Sequence, residues 1–290
     1  MRYYCSNLIL ILHLIKMLTD IHTHLYHFTN TEIKNIIDKS LARGIQRIIT
    51  CVHNRNTLIK TIPILKEYKN VYISIGVHPQ VAFVETKEYG EFILIMEKTI
   101  DAAVAVGEIG YDNYPGNPPL ESQKKAFIKQ IEMVKQKDLP LIIHCRKAFD
   151  ELFQDMQKSE KVILHSYSGG FKYLDIAIKK DFYISFSGTL TFKRSRRLKK
   201  IASLIPLNRI LCETDTPFIP PETEPVSLQS KPEHLDLVFQ SLVEAREEEE
   251  EEIKEALMNN VSSLFDFKRI DRNREKWIKL LEDSLKELRY

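Results

Sequence analysis

The feature that most narrows the fold is a rhythm. Short apolar runs recur along the chain, and between them lie stretches with apolar residues at helical spacing. Eight runs read as strands, at 18–22, 47–52, 71–76, 103–107, 140–144, 162–165, 182–187 and 209–213. Most are apolar throughout rather than alternating, the pattern of parallel strands covered on both faces. Between them, 31–43 carries Ile33, Ile36, Ile37 and Leu41 at helical spacing and stops at Gly44. The stretch 121–137 sets Phe127, Ile131 and Val134 on one face, and 172–180 and 195–205 repeat the pattern. Strand–helix alternation of this kind builds parallel α/β folds. Eight repeats favour a closed barrel over an open sheet. The expected fold class is therefore α/β, a single (β/α)8 TIM barrel with a C-terminal helical extension. A chain of 290 residues suits one barrel of about 250 residues with additions.

The barrel is expected over residues 17–270 and a last helix over 271–290. In that helix Trp277, Leu281, Leu285 and Leu288 form a stripe that packs on the barrel exterior, with a dimer contact as the alternative. The segment 216–232 holds Pro217, Pro220, Pro221, Pro225 and Pro232 and reads as a long loop. The acidic run 247–252 reads as a solvated face or a helix start, where carboxylates suit the dipole. Residues 1–16 precede the first strand and read as an extension, with Met17 as the natural initiator. A loosely docked tail and an export signal are the other readings of this extension. Its apolar stretch is too short to span a membrane, and no other segment qualifies. Four Cys without a CxxC pair fit reduced, buried thiols in a cytoplasmic protein. A net charge of +2 does not announce a nucleic-acid binder, although a local basic patch would suffice for one. Nothing marks an obligate protein partner.

Of the nine His, five are placed at the carboxyl ends of expected strands: His22, His24, His78, His144 and His165. Two acids join them, Glu108 after strand four and Asp215 after strand eight. Barrel enzymes hold their reactive groups at this end of the strands. Seven polar side chains meeting there unpaired would be costly through desolvation and mutual repulsion. Cations remove that cost, and N and O donors suit borderline or hard divalent metals. In the segment Asp20-Ile21-His22-Thr23-His24 the two histidines are two residues apart, so both point to one side of a strand.

These segments resemble the TatD-type metal-dependent deoxyribonucleases, a branch of the amidohydrolase-like barrels. The others are Gly76-Val77-His78-Pro79, Gly107-Glu108-Ile109-Gly110, the run 140–146, His165-Ser166-Tyr167-Ser168-Gly169 and Glu213-Thr214-Asp215-Thr216-Pro217. They follow the family's order between about residues 18 and 265. The resemblance implies two divalent metal ions, Mg, Mn or Zn. His22, His24 and Asp215 would hold one, His144 and His165 the other, with Glu108 between them. It implies hydrolysis of DNA, with single strands or 3′ ends as substrate and 3′-to-5′ exonuclease action. After Gly110 the family's basic residue is missing, and Tyr111-Asp112-Asn113-Tyr114-Pro115 stands in its place.

In this reading Asp215 is the candidate general base and Glu108 sets the spacing of the metals. His78 contacts the scissile phosphate, and Arg146 pairs with a phosphate oxygen. Lys193 and Arg194, in the loop after strand seven, track the backbone. Tyr167, Phe171 and Phe218 stack bases. Each of these substrate contacts has a structural alternative: a turn histidine, a surface salt bridge, a solvated helix face, or core packing. Two other functions stay open. One is a small-molecule amidohydrolase, lactonase or phosphoesterase using the same site; the other is a nucleic-acid-binding protein that has lost catalysis.

Overall fold

The computed structural model describes residues 18–135, 137–156, 161–223 and 227–287. The expectations for residues 1–16 and Met17, and for Pro225 and Leu288, lie outside the described residues. Eight strands form one parallel sheet in sequence order: β1 (Leu18–Thr23), β2 (Ile45–Val52), β3 (Val71–Ile75), β4 (Ala105–Asp112), β5 (Leu141–Arg146), β6 (Val162–Leu164), β7 (Tyr183–Phe186) and β8 (Ile210–Cys212). The two ends of the sheet meet. Thr23 bridges to Thr216, the Asp215 amide donates to the His22 carbonyl, and the His24 amide donates to the Thr216 carbonyl. The result is a nearly closed (β/α)8 barrel.

Helices alternate with the strands on the outside: α1 (Asn30–Ala42), α2 (Arg55–Glu67), α3 (Lys87–Thr99), α4 (Leu120–Val134), α5 (Phe149–Asp155), α6 (Gly170–Lys179) and α7 (Arg196–Ala202). Local chemistry sets their starts. Thr29 with Glu32, and Asn54 with Thr57, form capping boxes that satisfy the first amides of α1 and α2. After β8 comes the proline-rich loop, which holds no helix up to residue 231 in its described part. Then follow α8 (Leu235–Glu244), α9 (Glu250–Leu264), α10 (Phe267–Arg272) and α11 (Arg274–Glu287). Glu250, Glu251 and Glu252 fill the first turn of α9, so the acidic run is a helix start. The expected final helix is divided at Asn273, and α11 buries Leu281 and Leu285 against the barrel exterior at α2 and α3.

Two apolar layers hold the fold. Outward residues such as Ile48, Ile73, Ile143, Leu164 and Ile184 pack under the helices. Inward residues Ile21, Ile49, Tyr72, Ile142, Ile163, Tyr183 and Leu211 fill the barrel, in the manner of interleaved layers from successive strands. Leu264, Phe265, Phe267 and Ile270 join this inner cluster and plug the end where the strands begin. Asn260 pins the plug by donating from its side-chain amide to the carbonyls of Leu207 and Ile210.

Two expected strand ends need correction. Glu108 lies within β4 rather than after it, because the alternation continues past Gly107. Ile109 and Tyr111 face outward, and the Tyr111 ring packs 5.1 Å from Phe127 of α4. His144 likewise lies inside β5, which pairs with β4 as far as Arg146. The register slips at Glu108, and again between Asp20 and Thr23 in β1. The second slip accommodates Ile21 in the inner cluster while His22 and His24 both reach the mouth. Among the described residues no helix is long and apolar enough to cross a membrane. Cys51, Cys145 and Cys212 are free thiols.

Candidate metal centre

At the mouth, where the strands end, Glu108 is the hub. Its two carboxylate oxygens face different groups of histidines. Oε2 lies 3.2 Å from His22 Nε2 and 3.7 Å from His24 Nε2. Oε1 lies 2.6 Å from His144 Nδ1, 3.0 Å from His165 Nε2 and 3.3 Å from His78 Nε2. Asp215 Oδ1 completes the first group, 3.3 Å from His24 Nε2 and 3.7 Å from His22 Nε2, while those two nitrogens are 3.2 Å apart. The structure thus brings together His22, His24, His78, Glu108, His144, His165 and Asp215, and only His144 among them is more than marginally exposed.

The donor set can be tested for fit. Four donors about 2.1 Å from one ion at tetrahedral angles lie about 3.4 Å from one another. The separation of His22 from His24, and of each from Glu108 and Asp215, runs from 3.2 to 3.7 Å. Three clusters, His22 with His24, Cys51 and Glu108, His22 with His165 and Asp215, and His78 with Glu108 and His144, therefore fit divalent metal binding.

Hydrogen bonds behind the histidines decide which nitrogen faces inward. His165 Nδ1 lies 2.7 Å from Glu213 Oε1, and His144 Nε2 lies 3.2 Å from Asp112 Oδ2. A carboxylate accepts only, so each of these nitrogens carries a proton, and with a cation at the Glu108 side the opposite nitrogen would be free to offer its lone pair. His24 Nδ1 meets the Tyr26 hydroxyl at 3.1 Å, and His22 Nδ1 meets the Cys51 thiol at 3.3 Å. His78 differs. Its Nδ1 accepts from the Gln80 amide at 3.1 Å, so a neutral ring carries its proton on Nε2 and donates inward. That makes His78 a hydrogen-bond donor to an anionic oxygen rather than a lone-pair ligand.

Without a cation the electrostatics are tense. Burial pushes the Asp215 carboxyl up to about 6, against the pull of His165 and His22. Burial also works to raise Glu108, but His78, His165, His22 and His144 outweigh it and hold the group well below the usual carboxylate range. Burial lowers His24 to about 3. For His165, burial disfavours the cation, yet Glu213 and Glu108 prevail and raise it well above an ordinary histidine. Burial keeps the Cys51 thiol protonated by raising it well above its normal value.

The centre opens into a cleft of about 1000 Å³. Arg146 lines it, with its guanidinium 4.1 Å over the Tyr114 ring. Arg194 and Arg197 line it as well. Lys193 is exposed outside this lining, its backbone amide donating to Glu222. Tyr167 lines the cleft but is only 2% exposed, its ring packed edge-on against Phe149 and its hydroxyl donating to the Gly170 carbonyl. Phe171 is exposed outside the lining, whereas Phe218 is exposed within it, 5.3 Å from the His24 ring and 5.4 Å from His27.

Several site residues escaped the sequence reading. Glu213 is two residues before Asp215 and Asp112 four after Glu108, at even spacings that a strand's period of two makes visible. His53 directly follows β2, and so carries the same strand-end signal as the other histidines. Tyr26 had no such signal, because it sits in the short turn after β1.

Comparison with known proteins shows the family. A family model described as TatD related DNase matches residues 19–266. An uncharacterized metal-dependent hydrolase, YabD of Bacillus subtilis, is 31% identical over 255 residues, which covers 86% of this chain and 99% of that protein. The 3'-5' ssDNA/RNA exonuclease TatD of Escherichia fergusonii is 24% identical, covering 80% of this chain and 92% of its own length. The crystal structure of YjjV, a TatD homolog from Escherichia coli, superposes with a TM-score of 0.76 at 26% identity, covering 86% of this chain and 97% of that one.

Proposed function

The chain belongs to the TatD related DNase family and is a metal-dependent hydrolase, and from that premise we propose that it hydrolyses phosphodiester bonds of single-stranded DNA from the 3′ end. One observation carries this reading: a single carboxylate, Glu108, divides two groups of histidines between its oxygens. Such a layout suits two divalent cations, Mg, Mn or Zn, one held by His22, His24, Asp215 and Glu108, the other by His144, His165 and Glu108. When bound, the cations would make hydroxide available near neutral pH and offset charge on the attacking and leaving oxygens of an in-line displacement.

The chain's own residues do the rest. Asp215 lies beside the first group of histidines and is the base that accepts the proton of the attacking water. Glu213 and Asp112 fix the rings of His165 and His144 from behind. His78 donates Nε2–H to a non-bridging oxygen of the phosphate. Arg146, Arg194 and Arg197 give the cleft a basic wall suited to the neighbouring phosphates. The exonuclease name of the Escherichia fergusonii relative points to the same substrate.

The test is incubation of purified protein with 3′-labelled single-stranded DNA, with Mn or Mg and with a chelator. Metal-dependent, chelator-sensitive shortening is expected. Turnover of amide or lactone substrates but not DNA would refute the proposal.

A further inference from the structure

His53 stands at the end of β2 and is held by the start of α2. Its backbone amide donates to Thr57 Oγ1 at 3.1 Å, and Thr57 is tied to Asn54 in the capping box. The ring lines the cleft, with its centroid 5.8 Å from the rings of both His24 and His78. Its Nε2 lies 2.9 Å from the Tyr26 hydroxyl, whose oxygen is also 3.1 Å from His24 Nδ1. Its Nδ1 is buried and has no hydrogen-bond partner.

The three side chains form a relay with one consistent proton arrangement. If His24 offers its Nε2 lone pair to a cation, a neutral ring carries the proton on Nδ1. His24 Nδ1–H then donates to the Tyr26 oxygen. The single Tyr26 proton is left to donate to His53 Nε2. A neutral His53 must then carry its own proton on Nδ1. Burial, with His24 and His78 nearby, holds His53 neutral by lowering it well below an ordinary histidine. A cation on His24 Nε2 thus leaves an orphaned, buried N–H donor on a residue that lines the cleft, and such a donor is costly enough to demand an acceptor.

We propose that His53 is a further substrate-binding residue, donating Nδ1–H to an oxygen of the phosphodiester. The identity of that oxygen rests on the nuclease reading; the proton arrangement does not. His53 and His78 then grip the substrate as two neutral donors from β2 and β3, opposite the basic wall formed by Arg146, Arg194 and Arg197.

Two measurements test this. Nitrogen-15 spectra of histidine-labelled, zinc-loaded protein should show His53 protonated on Nδ1. Dimethyl phosphate should shift that resonance, and Tyr26→Phe should release the ring from this single tautomer. In DNA cleavage, His53→Ala should raise KM about 10- to 100-fold, the worth of one hydrogen bond to a charged group. Its kcat should stay within about threefold and its metal content should be unchanged, since no reacting atom or ligand is removed. His53→Asn, whose amide nitrogen overlays Nδ1, should recover most of the loss. An Nε2-protonated His53 in the loaded protein, an unchanged KM, or metal loss in His53→Ala would overturn the proposal. Protein that cleaves no DNA but whose Nδ1 signal responds to dimethyl phosphate would refute the nuclease reading while keeping the anion site. Cleavage with an unresponsive His53 would do the reverse.

Discussion

Ile163 of β6 and His165 just past its end are two residues apart, and the first belongs to the apolar filling of the barrel while the second faces Glu108. The same step recurs around the ring. Ile142 gives way to His144, Leu211 to Glu213, and Ile49 to Cys51 and then His53. The lower barrel is filled by hydrocarbon and plugged by Leu264, Phe265 and Phe267. The upper barrel packs carboxylates and imidazoles into positions that, His53 and His144 apart, are also buried. Apolar burial stabilises the lower half by about 25 cal/mol for each Å² removed from water. Burial in the upper half is a cost, relieved in part by hydrogen bonds and ion pairs and in full only by cations. Fold and function are therefore stacked in layers along the same strands. A substitution's consequences depend on which layer it touches.

The sharpest break of this comparison is Glu108→Gln. It removes the charge shared by both groups of histidines and should lower kcat about 10³-fold or more while the fold survives. Activity and metal content, read beside circular dichroism, would check it. Phe265→Ala acts on the opposite layer. It should cost about 3–5 kcal/mol of stability through the cavity it leaves, with the rate per folded molecule unchanged. A denaturant midpoint combined with active-fraction kinetics would expose any mixing of the two effects.

Smaller changes sharpen the boundary between the layers. Glu213→Gln leaves every proposed ligand in place but loosens His165. Metal affinity should fall about 10- to 100-fold, as measured by competition with a chelator of known strength. The last effect is one of pH. The Asp215 carboxyl sits at about 6 rather than 3.8, so below pH 6 its proton competes with the cation. Affinity should fall about tenfold for each pH unit below that point from this group alone, and level off above it. For the metal-free fold the same shift has a definite sign. The native chain holds this proton more tightly than the unfolded chain, so the Asp215 contribution favours folding as pH falls from about 6 to 3.8. Metal titrations and melting curves at stepped pH would show both slopes.

The layers differed in how readily the sequence revealed them. The barrel was legible because Ile, Val and Leu runs of strand length repeat eight times, and parallel strands buried on both faces need that pattern. The seven residues gathered at Glu108 were legible because they follow or interrupt those runs. What stayed hidden was partnership. Nothing local tells that Cys51 rather than a carboxylate stands behind His22, or that Tyr26 joins His24 to His53, because those contacts cross from β1 to β2. The extent of β4 was missed because the expected strand ended at Gly107, whereas Ile109 and Tyr111 carry the outward alternation through to Asp112. Tyr167 and Lys193 show the limit for substrate contacts. Adjacency in sequence to the mouth does not fix how far a ring is buried or whether a lysine lines the cleft.

The most direct test is a crystal of metal-loaded protein with diffraction collected at the metal's absorption edge. Two anomalous peaks, one on each side of the Glu108 carboxylate and about 3.5–4 Å apart, are the expected result. Peaks remote from His22, His24, His144, His165 and Asp215, or no bound ion in protein shown to be active, would contradict the account.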